Sequence, residues 1–116
     1  MQFMETQDAL SHALSALAHP ARRGMLERLA KSNATVKELA APLDMSLPAV
    51  SKHIRVLERA GLISLSPSAQ FRICTLNPEP LNEVVSWAEK NRAIWEARFD
   101  QMEDVMKKIS EADDGS

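Results

Sequence analysis

Residues 44–63 read DMSLPAVSKHIRVLERAGLI. This stretch is the most informative part of the sequence, because residues typical of a helix start and of a helix end mark the bounds of one helix in it. Ser46 is a typical helix-capping residue, and Pro42 shortly before it cannot continue a preceding helix, so a sharp turn is expected there. Gly61 supplies the left-handed position at which helices commonly end. The pattern therefore predicts a helix from near Ser46 to Ala60.

This predicted helix has one apolar face and one basic face. At 100° per residue, Ile54 and Leu57 fall within about 40° of Val50, so these three residues are expected to form a buried stripe. The opposite face carries Pro48, Lys52, Arg55 and Arg59, with Ser51 on one flank and His53 nearer the buried edge. Any single cation of this face can be explained as a solvated surface residue. The whole basic face, by contrast, favours contact with an anion.

Three further helices are predicted upstream. The apolar spacing in TQDALSHALSALAH predicts a first helix over about residues 5–18, ending before Pro20. Pro20 suits the first turn of a second helix, PARRGMLERLAKS, whose apolar residues share one face. In TVKE, Thr35 and Glu38 match a capping box that begins a short third helix. The third helix, the sharp turn and the basic helix together form a helix-turn-helix.

The chain after the basic helix predicts a hairpin and then a long helix. LISLS and FRICTL are short β-prone runs, and residues 67–70 suit a turn between them, so residues 62–76 are expected to form a wing. Asn77 and Pro78 read as the cap and first residue of a last helix over about residues 78–110. Apolar residues cover about half of its circumference, which predicts packing against a partner subunit.

Length and composition suit a mostly helical protein. The 116 residues are 45% hydrophobic, 26% charged and only 4% aromatic, which fits one domain over residues 1–116. No apolar run approaches the roughly 18 residues of a membrane helix, and no secretory signal is visible, so a cytoplasmic protein without a membrane partner is expected. The predicted fold class is mostly α with a small β-hairpin (α+β): a winged helix-turn-helix of about five helices plus a wing.

The net charge of −2 conceals an uneven distribution along the chain. Residues 20–72 hold nine Lys or Arg against four acids, whereas residues 73–116 hold five basic residues against ten acids. This asymmetry indicates that the middle of the chain meets an anion and that the tail does not.

A basic helix behind a tight turn has the character needed to enter a DNA major groove, which is about 12 Å wide. Lys52 or Arg55 is expected to donate to guanine edges, and Ser51 to several bases. Leu47 is expected to contact a thymine methyl group.

Other cations are expected at the DNA backbone. Arg59 and Arg72 suit phosphate contacts, as do Arg22 and Arg23 at a helix start. The complete set of predicted DNA-contacting residues is Ser46, Leu47, Pro48, Ser51, Lys52, His53, Arg55, Arg59 and Arg72.

Three stretches, ALAHPARRGMLERLA, TVKELAAPLDMSLPAVSKHIRVLERAGLI and LNPEPLNEVVSWAEKNRAIWEARFDQME, together resemble the ArsR family of bacterial winged-helix transcriptional repressors across nearly the whole chain. The middle stretch is the specific one, and its DMSLPAVSKH signature resembles that of a subgroup with a tryptophan-containing last helix. The resemblance implies a homodimer, paired through its first and last helices, that binds an imperfect palindrome in double-stranded DNA and represses a nearby promoter. Residues expected at that dimer interface are Leu10, Leu14, Leu17, Trp87, Trp95, Phe99, Met102 and Met106.

The familiar metal-ligand positions of the family are empty in this chain. Metal-sensing members carry a Cys-x-Cys pair in the helix that TVKELAAPL occupies here, or ligands in the last helix, and neither stretch contains Cys or His. His12, His19 and His53 are scattered along the chain, and a lone His is more often a surface or core residue than a ligand. We therefore expect no metal site and no cofactor.

Cys74 is the single cysteine, so an internal disulfide is excluded. Its place in a β-prone run, between Ile73 and Thr75, favours a half-buried packing role over a redox switch. A redox or small-molecule effector is left open.

Two other classes of function compete with the regulator. The sequence lacks a glycine-rich phosphate loop, a nucleophile beside a base and paired carboxylates outside solvated helix faces, so we expect no enzyme and no catalytic residues. The alternative is a winged-helix protein-interaction module that has lost DNA binding. The single basic residue of the wing, Arg72, favours that alternative, whereas the basic helix face argues against it.

Overall fold

The computed structural model describes residues 2–114 and places the side chains of residues 9–113. The chain divides into two compact units, one up to Val84 and one from Val85 onward; the single-domain expectation stays a prediction. The elements in chain order are α1 (Gln2–Leu17), α2 (Pro20–Lys31), β1 (Ala34–Thr35), α3 (Val36–Ala40), α4 (Leu47–Arg59), β2 (Ile63–Ser68), β3 (Phe71–Leu76) and α5 (Glu79–Asp114). The predicted class, mostly α with a small sheet, is confirmed.

The bounds of the basic helix α4 follow the predicted local signals. The Ser46 hydroxyl oxygen accepts a hydrogen bond from the Ala49 N–H at 3.3 Å and caps the helix start. Gly61 follows the helix end with a φ of +76°, the left-handed conformation that a glycine adopts without steric cost.

The capping box at the start of α3 is also confirmed. The Thr35 hydroxyl oxygen accepts from the Glu38 N–H at 3.1 Å, and the Glu38 carboxylate accepts from the Thr35 N–H at 3.0 Å. The bond from the Thr35 N–H is the main cause of the lowered pKa of Glu38.

The sheet contains one strand more than predicted. It is three-stranded and antiparallel in the order β1-β3-β2, with Ala34 opposite Cys74 and Thr35 opposite Ile73. A strand of two residues is too short to show an alternating pattern in the sequence. β1 is therefore defined only by its pairing with β3. The sequence had shown Thr35 only as a helix cap.

The predicted turn of the hairpin is too long. β2 continues through Pro67 and Ser68, which pair with Arg72 and Phe71, so only residues 69–70 connect the strands. Pro67 is tolerated because β2 is an edge strand, where a missing N–H leaves no ladder bond unmade. We call the hairpin of β2 and β3 the wing.

The start of α5 also differs from its prediction. The helix begins at Glu79, and Asn77 does not act as its cap. The Asn77 side-chain amide instead donates to the Gly61 carbonyl at 3.2 Å and to the Ser64 hydroxyl at 2.9 Å. Asn77 therefore ties the end of β3 to the link between α4 and β2. α5 then runs four residues past its predicted end, to Asp114.

The core of the first unit is built mainly from helix faces turned toward the sheet. Val50, Ile54 and Leu57 are at most 4% exposed, which confirms the predicted buried stripe of α4. α1 buries the small side chains of Ala13 and Ala16, and Leu17 packs partly buried against the core, whereas Leu14 is 40% exposed. The main core cluster consists of Ala16, Met25, Leu26, Leu29, Ala34, Leu39, Val50, Ile54, Leu57, Leu62, Ile63 and Cys74.

The second unit is the part of α5 from Val85 onward, and it carries large apolar side chains in water. These are 49–67% exposed: Val85, Trp87, Ile94, Trp95, Phe99, Met102, Val105, Met106 and Ile109. The rings of Trp95 and Phe99 meet edge to face, with centroids 4.4 Å apart. Among the described helices, none has the length and apolar character needed to cross a membrane.

Candidate nucleic-acid interface

The basic face of α4 lies in solvent, opposite its buried stripe. Lys52, Arg55 and Arg59 are exposed, and Ser51 is half-buried on the flank. Pro48 is exposed in the first turn, and Leu47, the first helical residue, is 57% exposed. The structure thus places these predicted DNA-contacting side chains on the open side of the helix.

The cations of this surface have no salt-bridge partner among the described side chains. Among the side chains of residues 9–113, none forms an ion pair with Lys52, Arg55, Arg59 or the wing residue Arg72. Arg28, by contrast, lies 3.5 Å from the Glu38 carboxylate. Unpaired cations on one surface attract a polyanion through the summed field, and they keep their hydrogen-bond donors available to it.

A groove of about 440 Å³ lies between α4, α3 and the wing. We call it the α4–wing groove. It brings together four predicted residues that lie up to 25 positions apart in sequence. Its lining residues are Thr35, Val36, Lys37, Leu47, Ser51, Ile54, Arg55, Glu58, Leu65, Gln70, Phe71 and Arg72.

The groove is also lined by residues that the sequence reasoning did not assign to DNA contact, among them the acid Glu58. Lys37 in the first turn of α3 adds a further cation, and Gln70 adds an amide from the turn of the wing. Phe71 presents an aromatic ring that is 50% exposed. Lys37 was counted in the basic middle of the chain, but the face of a five-residue helix cannot be assigned from periodicity alone.

His53 differs from the other predicted residues of α4 because its ring is engaged inside the protein. It is half-buried, its Nδ1 lies 3.2 Å from the Arg22 Nη1, and its ring centroid lies 4.4 Å from that of His19. Burial, followed by electrostatic interactions with His19, Arg22 and Lys52, lowers the pKa of His53. His53 is also absent from the lining of the α4–wing groove.

Arg22 and Arg23, which the sequence analysis expected at phosphates, have hydrogen-bond partners within the protein. Arg22 donates from Nε to the Ala16 carbonyl at 2.7 Å, and Arg23 donates from Nη1 to the Leu17 carbonyl at 2.7 Å. Carbonyls in the last turn of a helix lack intrahelical donors, and a cation there also complements the helix dipole. The two arginines therefore stabilise the C-terminal end of α1.

Cys74 lies fully buried in the middle of the sheet, between Ala34 of β1 and Leu65 of β2. Burial raises the pKa of its thiol, which disfavours the reactive thiolate. This placement supports the packing role, with deeper burial than the sequence indicated. Within the described part of the chain, no three His, Cys, Asp or Glu side chains are grouped closely enough to hold a metal ion.

Comparisons with known proteins identify this arrangement of helices and wing. A family model described as a helix-turn-helix domain matches residues 17–65, which include α3 and α4. Over 78 residues, the chain is 41% identical to the HTH-type transcriptional regulator Rv2034 of Mycobacterium tuberculosis, covering 67% of this chain and 73% of the relative. The crystal structure of an ArsR family transcriptional regulator, RHA00566, is 41% identical with a TM-score of 0.72, covering 76% of this chain and 97% of that one.

The chain belongs to the ArsR family of helix-turn-helix transcriptional regulators. This ArsR-family chain is also 28% identical to the transcriptional repressor SdpR of Bacillus subtilis, over 67% of this chain and 87% of the relative. Family membership makes it a DNA-binding transcriptional regulator with a winged helix-turn-helix fold. The relatives named here are regulators rather than enzymes.

Proposed function

We propose that the protein is a homodimeric repressor that reads an imperfect palindromic operator with α4 and contacts the flanking backbone with its wing. One observation carries the proposal: unpaired cations from α4 and from the wing, Arg55 and Arg72, line the same groove. Two elements that are distant in sequence thus present positive charge to one ligand. A DNA duplex offers such a ligand, with base edges in its major groove and phosphates along both rims.

Within this proposal, the side chains of α4 divide into base-reading and backbone-contacting groups. Lys52 and Arg55 donate to guanine O6 and N7, and Ser51 contacts bases from the flank of the helix. Leu47, exposed at the helix start, packs against a thymine methyl group. Base contacts of this kind give sequence preference, since each base pair shows a distinct pattern in the major groove.

Phosphate contacts come from the ends of the surface. Arg59 in the last turn of α4 and Arg72 in the wing remain our predicted phosphate contacts, and the position of Lys37 in the groove adds a third. Such contacts supply affinity that depends on salt and is nearly independent of sequence. His53 was among the predicted DNA-contacting residues, but its bond to Arg22 favours an internal role.

The partner in the proposed dimer is a second copy of this chain. The exposed apolar side chains of α5 support this part of the proposal, because monomeric proteins rarely expose contiguous apolar patches larger than a few hundred Å². Our proposed interface residues are Leu10, Leu14 and Leu17 of α1 with Trp87, Trp95, Phe99, Met102 and Met106 of α5. Two-fold symmetry then places the half-sites one helical turn, about 34 Å, apart.

Repression follows if the bound dimer occupies a promoter. Two similar proteins carry the word repressor in their names: SdpR of Bacillus subtilis and SmtB of Mycobacterium tuberculosis, the latter 37% identical over 70% of this chain and 60% of the relative. We propose the same direction of control here, exerted in the cytoplasm, with an unidentified small-molecule or redox effector.

Fluorescence anisotropy with the DNA upstream of the protein's own coding region tests the proposal. We expect the parent to bind this duplex more tightly than a scrambled duplex, and Arg55→Ala to lose about 1–3 kcal/mol of that preference. Lys108→Ala, near the end of α5, is the matched control and should bind as the parent does. If Arg55→Ala binds both duplexes as the parent does, Arg55 does not read bases. If the parent itself binds neither duplex, the protein-interaction module is the better description.

A further inference from the structure

Arg22 links the end of α1 to the DNA-reading helix α4. Its guanidinium donates from Nε to the Ala16 carbonyl at 2.7 Å and from Nη2 to the Ser15 carbonyl at 3.0 Å. Its remaining nitrogen, Nη1, lies 3.2 Å from Nδ1 of His53 on α4. One planar side chain of α2 therefore makes hydrogen bonds to two other helices at once.

The bond between Arg22 and His53 requires a neutral imidazole. A guanidinium has only donors, so Nδ1 of His53 must be the acceptor, and the ring proton of the neutral form must lie on Nε2. Protonation would place an N–H on Nδ1, facing the donors of Arg22. The hydrogen bond would then be replaced by repulsion between two cations.

Among the side chains of residues 9–113, none supplies an anion beside His53 that would stabilise its protonated form. The charged and titratable groups in this range that face it are His19 from the link between α1 and α2, Arg22 of α2 and Lys52 of α4 itself. Within the same range, α3 and β2, which also pack against α4, contribute none, and α1 contributes only the carbonyls that Arg22 binds. Burial, followed by these three groups, lowers the pKa of His53.

His19, which lies beside His53, also has a structural role. His19 caps α2, because its Nδ1 accepts the Ala21 N–H at 3.1 Å. Its ring centroid lies 4.4 Å from that of His53. A positive charge at His19 would disfavour proton uptake by the neighbouring ring of His53.

We propose that Arg22 and His53 are positioning residues: neutral His53, by accepting from Arg22, holds α4 to the end of α1, and protonation of His53 releases that hold. This inference rests on the proposed function, since it concerns the placement of the helix that reads DNA. His53 follows Lys52 directly and lies two residues before Arg55, so a shift of α4 moves the base-reading side chains as a group. Sequence preference, rather than overall attraction to DNA, is the property that the contact controls.

The direction of the pH effect follows from proton linkage. The folded chain binds the proton of His53 less readily than the unfolded chain, because the fold lowers this pKa. The stabilising contribution is therefore complete above the ordinary histidine value of about 6.5, and it is lost as the pH falls through the lowered folded value. Acidification is expected to loosen α4 while adding positive charge to the protein.

The ratio of affinities for the natural upstream duplex and for a scrambled duplex separates these two effects of acidification. We expect this ratio to fall roughly tenfold between pH 7.5 and pH 5, the size expected for loss of one hydrogen bond to a charged group. In His53→Asn, the amide oxygen takes the place of Nδ1 and does not titrate, so the ratio should stay level over this range. A ratio that falls equally in His53→Asn and in the parent overturns the proposal.

Two variants locate the effect. His12→Asn removes an exposed histidine of α1 and should keep the pH dependence of the parent. His19→Asn retains an oxygen that can cap α2, and it should also keep the fall in the ratio, because Arg22 and His53 are intact. If the fall disappears in His19→Asn and persists in His53→Asn, the cap of α2 is the pH-sensitive element and the proposal is wrong.

A measurement on the DNA-free parent protein distinguishes this inference from the proposed function. NMR of the His53 ring protons as a function of pH should give a pKa below the ordinary histidine value. Over the same pH range, the parent should lose thermal stability and His53→Asn should not. If these results appear but no duplex binds, the proposed function fails and the contact stands as a structural one. If the parent binds its operator but His53 titrates at the ordinary value with no loss of stability, the positioning contact fails alone.

Discussion

α4 and the part of α5 beyond Val85 are both helices with a large exposed face, and the two faces have opposite chemistry. α4 buries Val50 and Leu57 completely and exposes cations. α5 exposes tryptophan, phenylalanine and methionine side chains, each by about half or more. A solvated cation lies in its preferred environment, whereas exposed apolar surface carries a cost of roughly 25 cal/mol per Å² that a covering partner removes. We therefore propose that the α4 face is complete in a single chain, whereas the α5 face is covered by a partner.

Removing the apolar face of α5 is expected to have the largest effect. Trp95→Gln combined with Phe99→Gln should weaken the proposed dimer by about a thousandfold or more, because each buried interface aromatic contributes about 2 kcal/mol or more. Sedimentation velocity over a range of concentrations measures this change. The pair Lys90→Gln and Lys107→Gln alters two cations of the same helix and should leave the dimer intact. An unchanged dimer in the Trp95 and Phe99 variant would mean that the interface lies elsewhere.

Substitution of one leucine on each face of α4 compares what the two faces contribute to stability. Leu57→Ala should lower the free energy of unfolding by about 2–5 kcal/mol, because it leaves a cavity in a fully packed site. Leu47→Ala, at an exposed position of the same helix, should change it by no more than about 0.5 kcal/mol. Urea unfolding followed by circular dichroism gives both values. Similar losses in the two variants would show that Leu47 is covered in solution.

Substitutions within the basic surface are expected to change DNA binding only, and they separate base reading from backbone contact. Lys52→Ala should cost about 1–3 kcal/mol at the natural duplex and relax preference at one base pair of each half-site. Arg72→Ala should weaken binding to natural and scrambled duplexes alike and reduce the salt slope by about one. Titrations at several salt concentrations compare the two variants, after both have been shown to fold as the parent does. If Lys52→Ala binds both duplexes as the parent does, the base contact is assigned to the wrong residue.

The features that the sequence predicted well are those produced within a few residues. The Ser46 cap, the Thr35–Glu38 capping box and the turn at Gly61 each depend on hydrogen bonds or backbone angles within one turn. The buried stripe of α4 follows from helical geometry alone, since Val50, Ile54 and Leu57 recur at its period. These interactions are the same in any surroundings, so a local pattern is enough to predict them.

Two of the features that were missed join residues far apart in the chain. Asn77 was predicted to cap a helix, but its amide donates to Gly61 and Ser64, 16 and 13 residues away. β1 exists only through its pairing with β3, about 40 residues later. A residue with several hydrogen-bonding groups has many possible partners, and only the packed fold decides which partner comes within reach.

Helix caps and helical period are local properties, so the amino-acid sequence was enough to predict a helix-turn-helix whose fourth helix has one buried and one basic face. The partners of the individual cations, by contrast, depend on how the helices pack. Arg22 and Arg55 have the same chemistry, yet Arg22 binds the end of α1 and His53, while Arg55 faces the α4–wing groove. The physical reason is that a guanidinium binds whichever acceptors packing brings within about 3 Å, and the chain near Arg22 places carbonyls there.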